Sequence, residues 1–535
     1  MFLFLSTLWY IRTLKHVLFW LYLWQLKEYH AGRFLAHFET KKGQKLILNP
    51  LQNSKVLLAV LFLLNNTFFV WILSFIYFVE SFLFFKAVFD RKVKSPKLTK
   101  KTFFLIIFSS LTFILFPIIL YIFQLDIIRF TLYLLFFDIL VPFIVTMVVF
   151  SFQPFVILIR NNIIRKAKNK IKNLKLAGNL TVVGITGSYG KTSTKEFLSE
   201  ILSYRFKVLE TKEHQNSEVG ISKCILDHLD EDHEIFVVEM GAYNKDGIKL
   251  LSDIVKPDIG IVPGVNEQHL ALFGSLDNLL SAEGGRELAN SLSENGLLIL
   301  NGDNKYCLDL YKRTGVKKKI YTISKEKVDS DIWVNEVLIK KDSVSFVALT
   351  KEKEVVPFNI NVLGRQSVQN MLASILAARH LGMSFNEIIR ASKNIKQEQC
   401  GISLKNGKHG VNIIDSSYSS NPDGVMADLE YLSIFLKKKV IIMPCLIELG
   451  EKSTKVHEKI GSRIGKICDL AIITTEEKFS SIKKGAIEAG MDEKNIVFSE
   501  KPEEIATRIS VFCTKGDTVL LEGRVPEKLI KLLHV

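Results

Sequence analysis

The sequence predicts an α/β protein of parallel-sheet domains carried behind an all-α membrane region. Three observations point there. Long apolar runs crowd the first 150 residues, strand and helix signals alternate from about residue 176 onward, and a glycine-rich turn joins an apolar strand to a helical pattern at 181–194. At 535 residues the chain is too long for one ordinary core. Its six cysteines, Cys224, Cys307, Cys400, Cys445, Cys468 and Cys513, form no C-x-x-C pair, which excludes a disulfide framework or zinc ribbon and suits a reducing compartment. The formal charge of +15 would suit nucleic acid in a soluble protein. Here the basic residues flank apolar runs, so a membrane surface is the expected partner and nucleic acid is not.

Residues 1–25 are rich in Leu, Phe and Trp, carry Arg12, Lys15 and His16 in their middle, and precede no small-residue cleavage site, unlike a signal peptide. Two placements are open: a span whose charges face other helices, or an interfacial helix. Residues 56–85 are a second apolar run, interrupted by Asn65-Asn66 and Glu80; 102–123 and 127–150 are two more, separated by Gln124-Leu-Asp126 and so expected as a helical hairpin. The hairpin's flanks set its orientation. Residues 86–101 hold seven Lys/Arg against Asp90 alone, and 160–175 hold seven with no acid, so both are expected in the cytoplasm. The basic segment 26–55 falls on the opposite side if all four runs cross. Arg129 and Asp138 lie in or beside these spans, as an interhelical pair or near an interface. The region 1–159 thus holds three to four transmembrane helices, and 160–175 reads as a basic juxtamembrane linker.

The stretch Gly184-Ile-Thr-Gly-Ser-Tyr-Gly-Lys-Thr192 reads as strand, phosphate loop, helix. Gly184, Gly187 and Gly190 let backbone N–H groups curl around an anion, Lys191 supplies a point charge for terminal phosphates, and Thr192 can place a hydroxyl on Mg2+. Ile185 sits where the commoner pattern has its first glycine, so the loop is a variant. Ile235-Phe-Val-Val-Glu-Met240 is a buried strand ending in Glu239, and Ile259-Gly-Ile-Val262 is another, followed by Gly264 to His269. Polar residues at the carboxyl ends of neighbouring parallel strands converge on one crevice, which places Glu239 and His269 opposite Lys191. Residues 330–360 are a short β excursion, and 368–381 are an apolar helix. A last α/β unit runs through strands at 411–414, 440–443, 470–473 and 519–521.

These residues resemble the Mur ligases. The resemblance rests on the loop at 184–192, Glu239-Met-Gly-Ala242, His269-Leu270 with Phe273-Gly-Ser275, Gly364-Arg365 with Asn370, Tyr418 with Asn421-Pro422, and Ile447-Glu-Leu-Gly-Glu451 with His457. It covers 176–535 and leaves 1–175 outside. Within the family it is nearest the branch that adds D-alanyl-D-alanine to a muramoyl tripeptide. The resemblance implies a P-loop central domain of the Mur-ligase type over 176–395 and a Rossmann-like C-terminal domain over 396–535. The implied reaction forms an amide through an acyl phosphate, with ATP and Mg2+ as cofactors. Its implied partners are a UDP- or lipid-linked muramoyl peptide and an amino acid or dipeptide. By the same resemblance Gly187, Ser188, Gly190, Lys191, Thr192, Ser193 and Asn370 hold the nucleotide, with Asn370 near the adenine. Thr192, Glu239 and His269 serve the metal, and Lys191, His269 and Glu283 act in catalysis. The protein is then expected at the plasma (inner) membrane, multi-pass, with its catalytic domains in the cytoplasm.

The departures are specific. Where the family has a lysine that becomes carbamylated and helps hold Mg2+, the count from Phe273 reaches Glu283. Either a glutamate supplies the same negative charge without carbon dioxide, or Gly284-Gly285-Arg286 marks an insertion that shifts the count. Ser416 stands where a second acid is common, Glu522-Gly-Arg524 where Lys-Gly-Ser is common, and the usual arginine is missing near Gly401-Ile402. An asparagine-rich segment survives only as His214 to Gly220. Soluble relatives hold the UDP moiety with an initial domain, and here membrane segments fill that place. A degenerate nucleotide-binding scaffold is the alternative that these departures favour; the loop, Glu239 and His269 favour a ligase.

Overall fold

The computed structural model describes every residue except 28, 30, 39, 40, 48, 49, 65, 179, 213, 214, 324–328, 398–400, 418–420 and 535. It divides into two compact units, residues 1–159 and 160–535.

Among the described residues three stretches are long and apolar enough to cross a membrane: Phe68–Phe89 and Lys100–Ile122 in the first unit, and Val141–Leu176, which runs from the first unit into the second. Two expected spans are corrected. The run 56–85 is broken, with a helix at Pro50–Leu61, a 3-10 turn at Phe62–Leu64 and a new helix at Phe68–Phe89, whose entry is fixed by the Asn66 side chain accepting from the Phe68 N–H. The run 127–150 is also split, into Ile127–Ile139 and Val141–Ser151. Pro142 has no N–H to donate and its ring crowds the carbonyl a turn earlier, so it opens a helix instead of continuing one.

The helix Phe2–Leu26 turns its charge inward. Arg12, Lys55, Glu80 and Asp138, on four different helices, close a ring: Arg12 Nε lies 3.3 Å from Glu80, Lys55 Nζ 2.5 Å from Glu80 and 3.1 Å from Asp138, and Arg12 completes the circuit onto Asp138. Two cations and two anions cancel, which is the arrangement that lets charge be buried. Arg129 takes no part; it pairs with Asp126 at 3.2 Å on the surface. The Arg129–Asp138 pair considered from sequence is therefore absent.

The second unit opens within the helix Gln153–Leu176, so the basic segment 160–175 is helical. Its basic residues share a helix with Ile164, Ala167 and Ile171, spaced at three and four, which are buried in the core below. Nine strands follow: β1 (Thr181–Ile185), β2 (Val208–Glu210), β3 (Ile235–Glu239), β4 (Ile259–Val262), β5 (Leu297–Asn301), β6 (Lys317–Thr322), β7 (Ile332–Ile339), β8 (Val344–Thr350) and β9 (Val355–Ile360). They form one sheet in the order β2-β3-β1-β4-β5-β6-β7-β8-β9. It is parallel as far as β7 and antiparallel across β7, β8 and β9, so the β excursion extends the central sheet. Helices Lys191–Ser203 and Gln366–His380 cover one face and Glu218–His228 and Gly247–Val255 the other.

The C-terminal sheet contains β10 (Ser403–Asn406), β11 (Asn412–Ser416), β12 (Lys439–Met443), β13 (Leu470–Ile473), β14 (Ile496–Phe498) and β15 (Thr518–Glu522), in the order β10-β11-β15-β12-β13-β14. Only β10, paired to β11, runs antiparallel. Both sheets are thus mixed, where sequence reading expected parallel ones.

Candidate active site

Chain order places the phosphate loop at the point where the strand order of the central sheet reverses. β1 is flanked by β3 and β4, so the chain leaves β1 toward one edge and later returns to build the other, opening a crevice at the strand ends. Register sets the first contact, because Ile185 pairs with Glu239 and the loop begins level with that carboxylate.

The loop's glycines are required by space. Gly190 has φ +77°, and a Cβ there would lie 2.8 Å from Asn370 Oδ1 and 2.9 Å from Pro263; one on Gly187 would meet the Gly264 carbonyl at 2.7 Å. Lys191 opens the helix Lys191–Ser203 and its ammonium donates to the Gly187 carbonyl at 2.5 Å, so it lies along the loop. Thr192 Oγ1 donates to Glu239 Oε2 at 2.9 Å, and Asn216 Nδ2 donates to the other carboxylate oxygen at 3.2 Å. Ser193 follows in the same first turn and is buried.

A second group faces the loop from the far side. Glu283, 3% exposed, accepts from Ser188 Oγ at 2.7 Å, and His269 Nδ1 lies 2.8 Å from its other oxygen. A carboxylate can only accept, so His269 carries its proton on Nδ1. Burial pushes the Glu283 carboxyl up, but the His269 hydrogen bond and the charges of His269 and Lys191 outweigh it and hold the group below the usual carboxylate range. Glu283 therefore joins the loop and His269 in one chain. Asn370 is 7% exposed under the first turn of the loop helix, its Oδ1 accepting from Thr194 at 3.3 Å.

The C-terminal domain closes over this edge. Asn266 Nδ2 donates to Asp423 Oδ2 at 2.9 Å, Lys452 Nζ reaches Glu267 at 2.6 Å, and Glu448 Oε2 lies 3.9 Å from His269 Nε2. The loop bearing Glu448 is pinned by His457, wholly buried, whose Nε2 accepts from the Leu446 N–H at 2.9 Å and whose Nδ1 lies 2.6 Å from the Ser453 carbonyl. Burial holds this imidazole below its ordinary pKa, and it packs as a neutral ring.

Among the described residues no three His, Cys, Asp or Glu side chains converge into a ready-made metal cage. Mg2+ is commonly held by one or two protein ligands, with waters and phosphates completing its shell, and the donors at Thr192 and Glu239 suit that style.

Sequence reasoning missed Asn301 and Asn304 because it did not pick out β5. Asn301 Nδ2 donates to the Pro263 carbonyl at 2.7 Å, and Asn304 Nδ2 donates to the Tyr189 hydroxyl at 3.1 Å, bracing the loop. The signal was an asparagine at the end of an apolar tetrad, the same rule that found Glu239. The departures at Ser416 and Glu522 face each other in register and are buried; Ser416 Oγ donates to Asp428 Oδ2 at 2.5 Å, and Gln366 Nε2 reaches Asp428 from the central domain at 3.1 Å. Burial holds the Asp428 carboxyl above its usual range. His214 and Tyr418 lie outside the described residues.

A phosphate loop where the strand order reverses, with a second α/β domain reaching its rim, defines a two-domain nucleotide-binding α/β protein. Comparison with known proteins makes this specific. The Mur ligase middle domain matches residues 185–378, and the Mur ligase glutamate ligase domain matches 402–525. The UDP-N-acetylmuramoyl-tripeptide–D-alanyl-D-alanine ligase of Bacillus subtilis is 25% identical over 354 residues, covering 66% of this chain and 75% of that protein. The MurF ligase of Thermotoga maritima, solved in complex with ADP, is 25% identical with a TM-score of 0.59, covering 70% of this chain and 83% of that one. MurF of Acinetobacter baumannii has the same fold, at 22% identity and a TM-score of 0.62, covering 70% and 80%. The chain belongs to the Mur ligase family, as an ATP-dependent amide ligase of peptidoglycan synthesis.

Proposed function

We propose that this ligase is anchored in the plasma membrane with its catalytic domains on the cytoplasmic side, and joins D-alanyl-D-alanine or a related amine to a muramoyl peptide. The terminal carboxylate of the muramoyl peptide takes the γ-phosphoryl group of ATP, releasing ADP. The amine then attacks the acyl phosphate, expelling phosphate and losing a proton as the amide forms. Lys191 neutralises charge on the transferring group, and the loop N–H groups orient it. Thr192, Glu239 and His269 would hold Mg2+, which supplies further charge neutralisation when bound. Asn370 is assigned to the adenine end of the nucleotide site.

The observation that carries this reading is the Ser188–Glu283–His269 chain, which puts a permanent carboxylate beside the phosphate loop. It favours Glu283 as the replacement for the family's carbamylated lysine. The three apolar stretches, and basic flanks at 86–101 and 160–175, support the membrane placement. The acceptor is a UDP- or lipid-linked muramoyl peptide, and the membrane placement is what brings the lipid-linked form within reach.

The test is ADP release by detergent-solubilised full-length protein given muramoyl peptides, soluble or lipid-linked, and a panel of amino acids and dipeptides. Amine-dependent turnover that Lys191→Ala abolishes is expected. ATP consumption indifferent to every amine would overturn the assignment.

A further inference from the structure

The helix Phe68–Phe89 carries a feature that ligation does not use. Phe68, Trp71, Phe75, Phe78, Phe82, Phe85 and Phe89 recur at alternating intervals of three and four, an unbroken heptad seam along the whole helix. All seven are exposed, from 53% at Phe78 to 90% at Phe89. The helix has ten aromatic residues, and only Phe69, Tyr77 and Phe84 fall off the seam. Its inward face is different in kind: Val70, Leu73, Ser74, Tyr77, Ser81 and Phe84 are buried within the unit. Glu80 and Lys86 both lie off the seam.

Lipid tails accept any apolar side chain and do not call for aromatic ones. The neighbouring span Lys100–Ile122 exposes the same spacing at Phe104, Phe108, Leu111, Leu115, Ile118 and Ile122, but fills it with aliphatic side chains from Leu111 onward, so the aromatic filling of every position is what sets Phe68–Phe89 apart. A repeat of 3.5 residues has a geometric meaning, because it keeps one stripe facing a partner helix through a left-handed supercoil. The exposed aromatic surface is on the order of 600–900 Å² per helix, close to the roughly 800 Å² that each partner contributes to a stable interface.

We propose that this seam is a homodimer interface, and that its occupant is the Phe68–Phe89 helix of a second copy of the chain. Copies inserted with the same orientation present this helix in parallel, so each aromatic position meets its own counterpart across a two-fold axis. Ring against ring then supplies the packing that drives helices together where no hydrophobic force between them remains. The proposal rests on the reading of residues 68–89 as a membrane span.

Energy transfer between donor- and acceptor-labelled full-length protein in lipid vesicles tests it. Wild type is expected to associate. The triple variant Phe75→Leu/Phe78→Leu/Phe82→Leu, still apolar, is expected to associate at least about tenfold more weakly, in line with the loss of aromatic pairing. Phe103→Leu/Phe104→Leu on the neighbouring span should behave as wild type. In a second measurement, single Phe75→Cys and Phe78→Cys variants should cross-link between copies while Ile76→Cys and Tyr77→Cys do not; this settles the seam even if the triple variant fails to fold. Protein that inserts yet stays monomeric at every protein-to-lipid ratio, or that cross-links without regard to the seam, overturns the proposal. Protein that does not insert refutes the membrane reading instead.

Discussion

The proposed role of Glu283, as the stand-in for the family's carbamylated lysine, can be tested with one substitution. A carboxylate fixed by Ser188 and His269 needs no carbon dioxide to acquire its charge. Turnover in bicarbonate-depleted buffer should therefore match that in ordinary buffer, whereas Glu283→Lys should be nearly inactive when depleted and regain activity as bicarbonate is added. Equal activity of that variant under both conditions would remove Glu283 from the metal site. In the helical unit 1–159, Asp138→Ala leaves Arg12 and Lys55 facing each other with only Glu80 to pair, and should cost about 3–5 kcal/mol of stability, read from thermal unfolding in detergent. Arg129→Ala breaks only an exposed pair and should change stability by less than about 1 kcal/mol. The sequence could name both charged residues but could not match them. Pairing across helices depends on which faces meet, and neither periodicity nor spacing encodes that.

Elements were legible where a local rule fixes them. The strand–loop–helix at 181–203, β3 ending in Glu239 and the long helix at 366–380 all follow from an apolar pattern bounded by glycine or polar residues. Several strands were missed for different reasons: β2, β10 and β14 are short edge pieces, β5 is an apolar tetrad that local pattern does not separate from other buried segments, and β6 opens on three lysines. The helix through 160–175 was hidden by its charge, since seven cations mask the three buried residues that define its inner face. One element-scale consequence concerns the loop at 445–452, which His457 pins as a neutral ring. Its depressed pKa means the unfolded chain binds the proton more readily, so its contribution is complete above about pH 6.5 and fades as pH falls through the lower folded value. Thermal stability should decline between neutral pH and about pH 5, and His457→Gln should flatten that decline. An unchanged slope in the variant would place the titration elsewhere.

For the whole molecule, the two α/β domains meet through polar contacts beside the phosphate loop, Asn266 with Asp423, Glu267 with Lys452 and His269 with Glu448, and further out through Gln366 with Asp428 and the buried Leu363. Such a rim suits domains that part and close around substrates. Lys452→Glu sets like charges against each other at Glu267 and should lower kcat of amine-dependent turnover by about tenfold, with ATP affinity little changed. A variant with normal kcat would show that this closure contact does not limit the reaction. None of these contacts was visible in the sequence, although Asn266, Glu267, His269 and Glu448 lie in motifs that the sequence reading quoted. Motif reading finds residues that share a crevice, but the hydrogen bonds between domains depend on how the two sheets are set against each other.

The ring of Arg12, Lys55, Glu80 and Asp138 also bears on how the protein is made. Its four members emerge from the ribosome over more than 120 residues, and no helix that carries one can rest alone in lipid without an uncompensated charge. On the proposed membrane placement, the earlier helices would lack a neutral resting state within the bilayer until the helix bearing Asp138 arrives. The lowest-cost route into the bilayer would then be a collective one, with the helices entering together once the circuit can be closed.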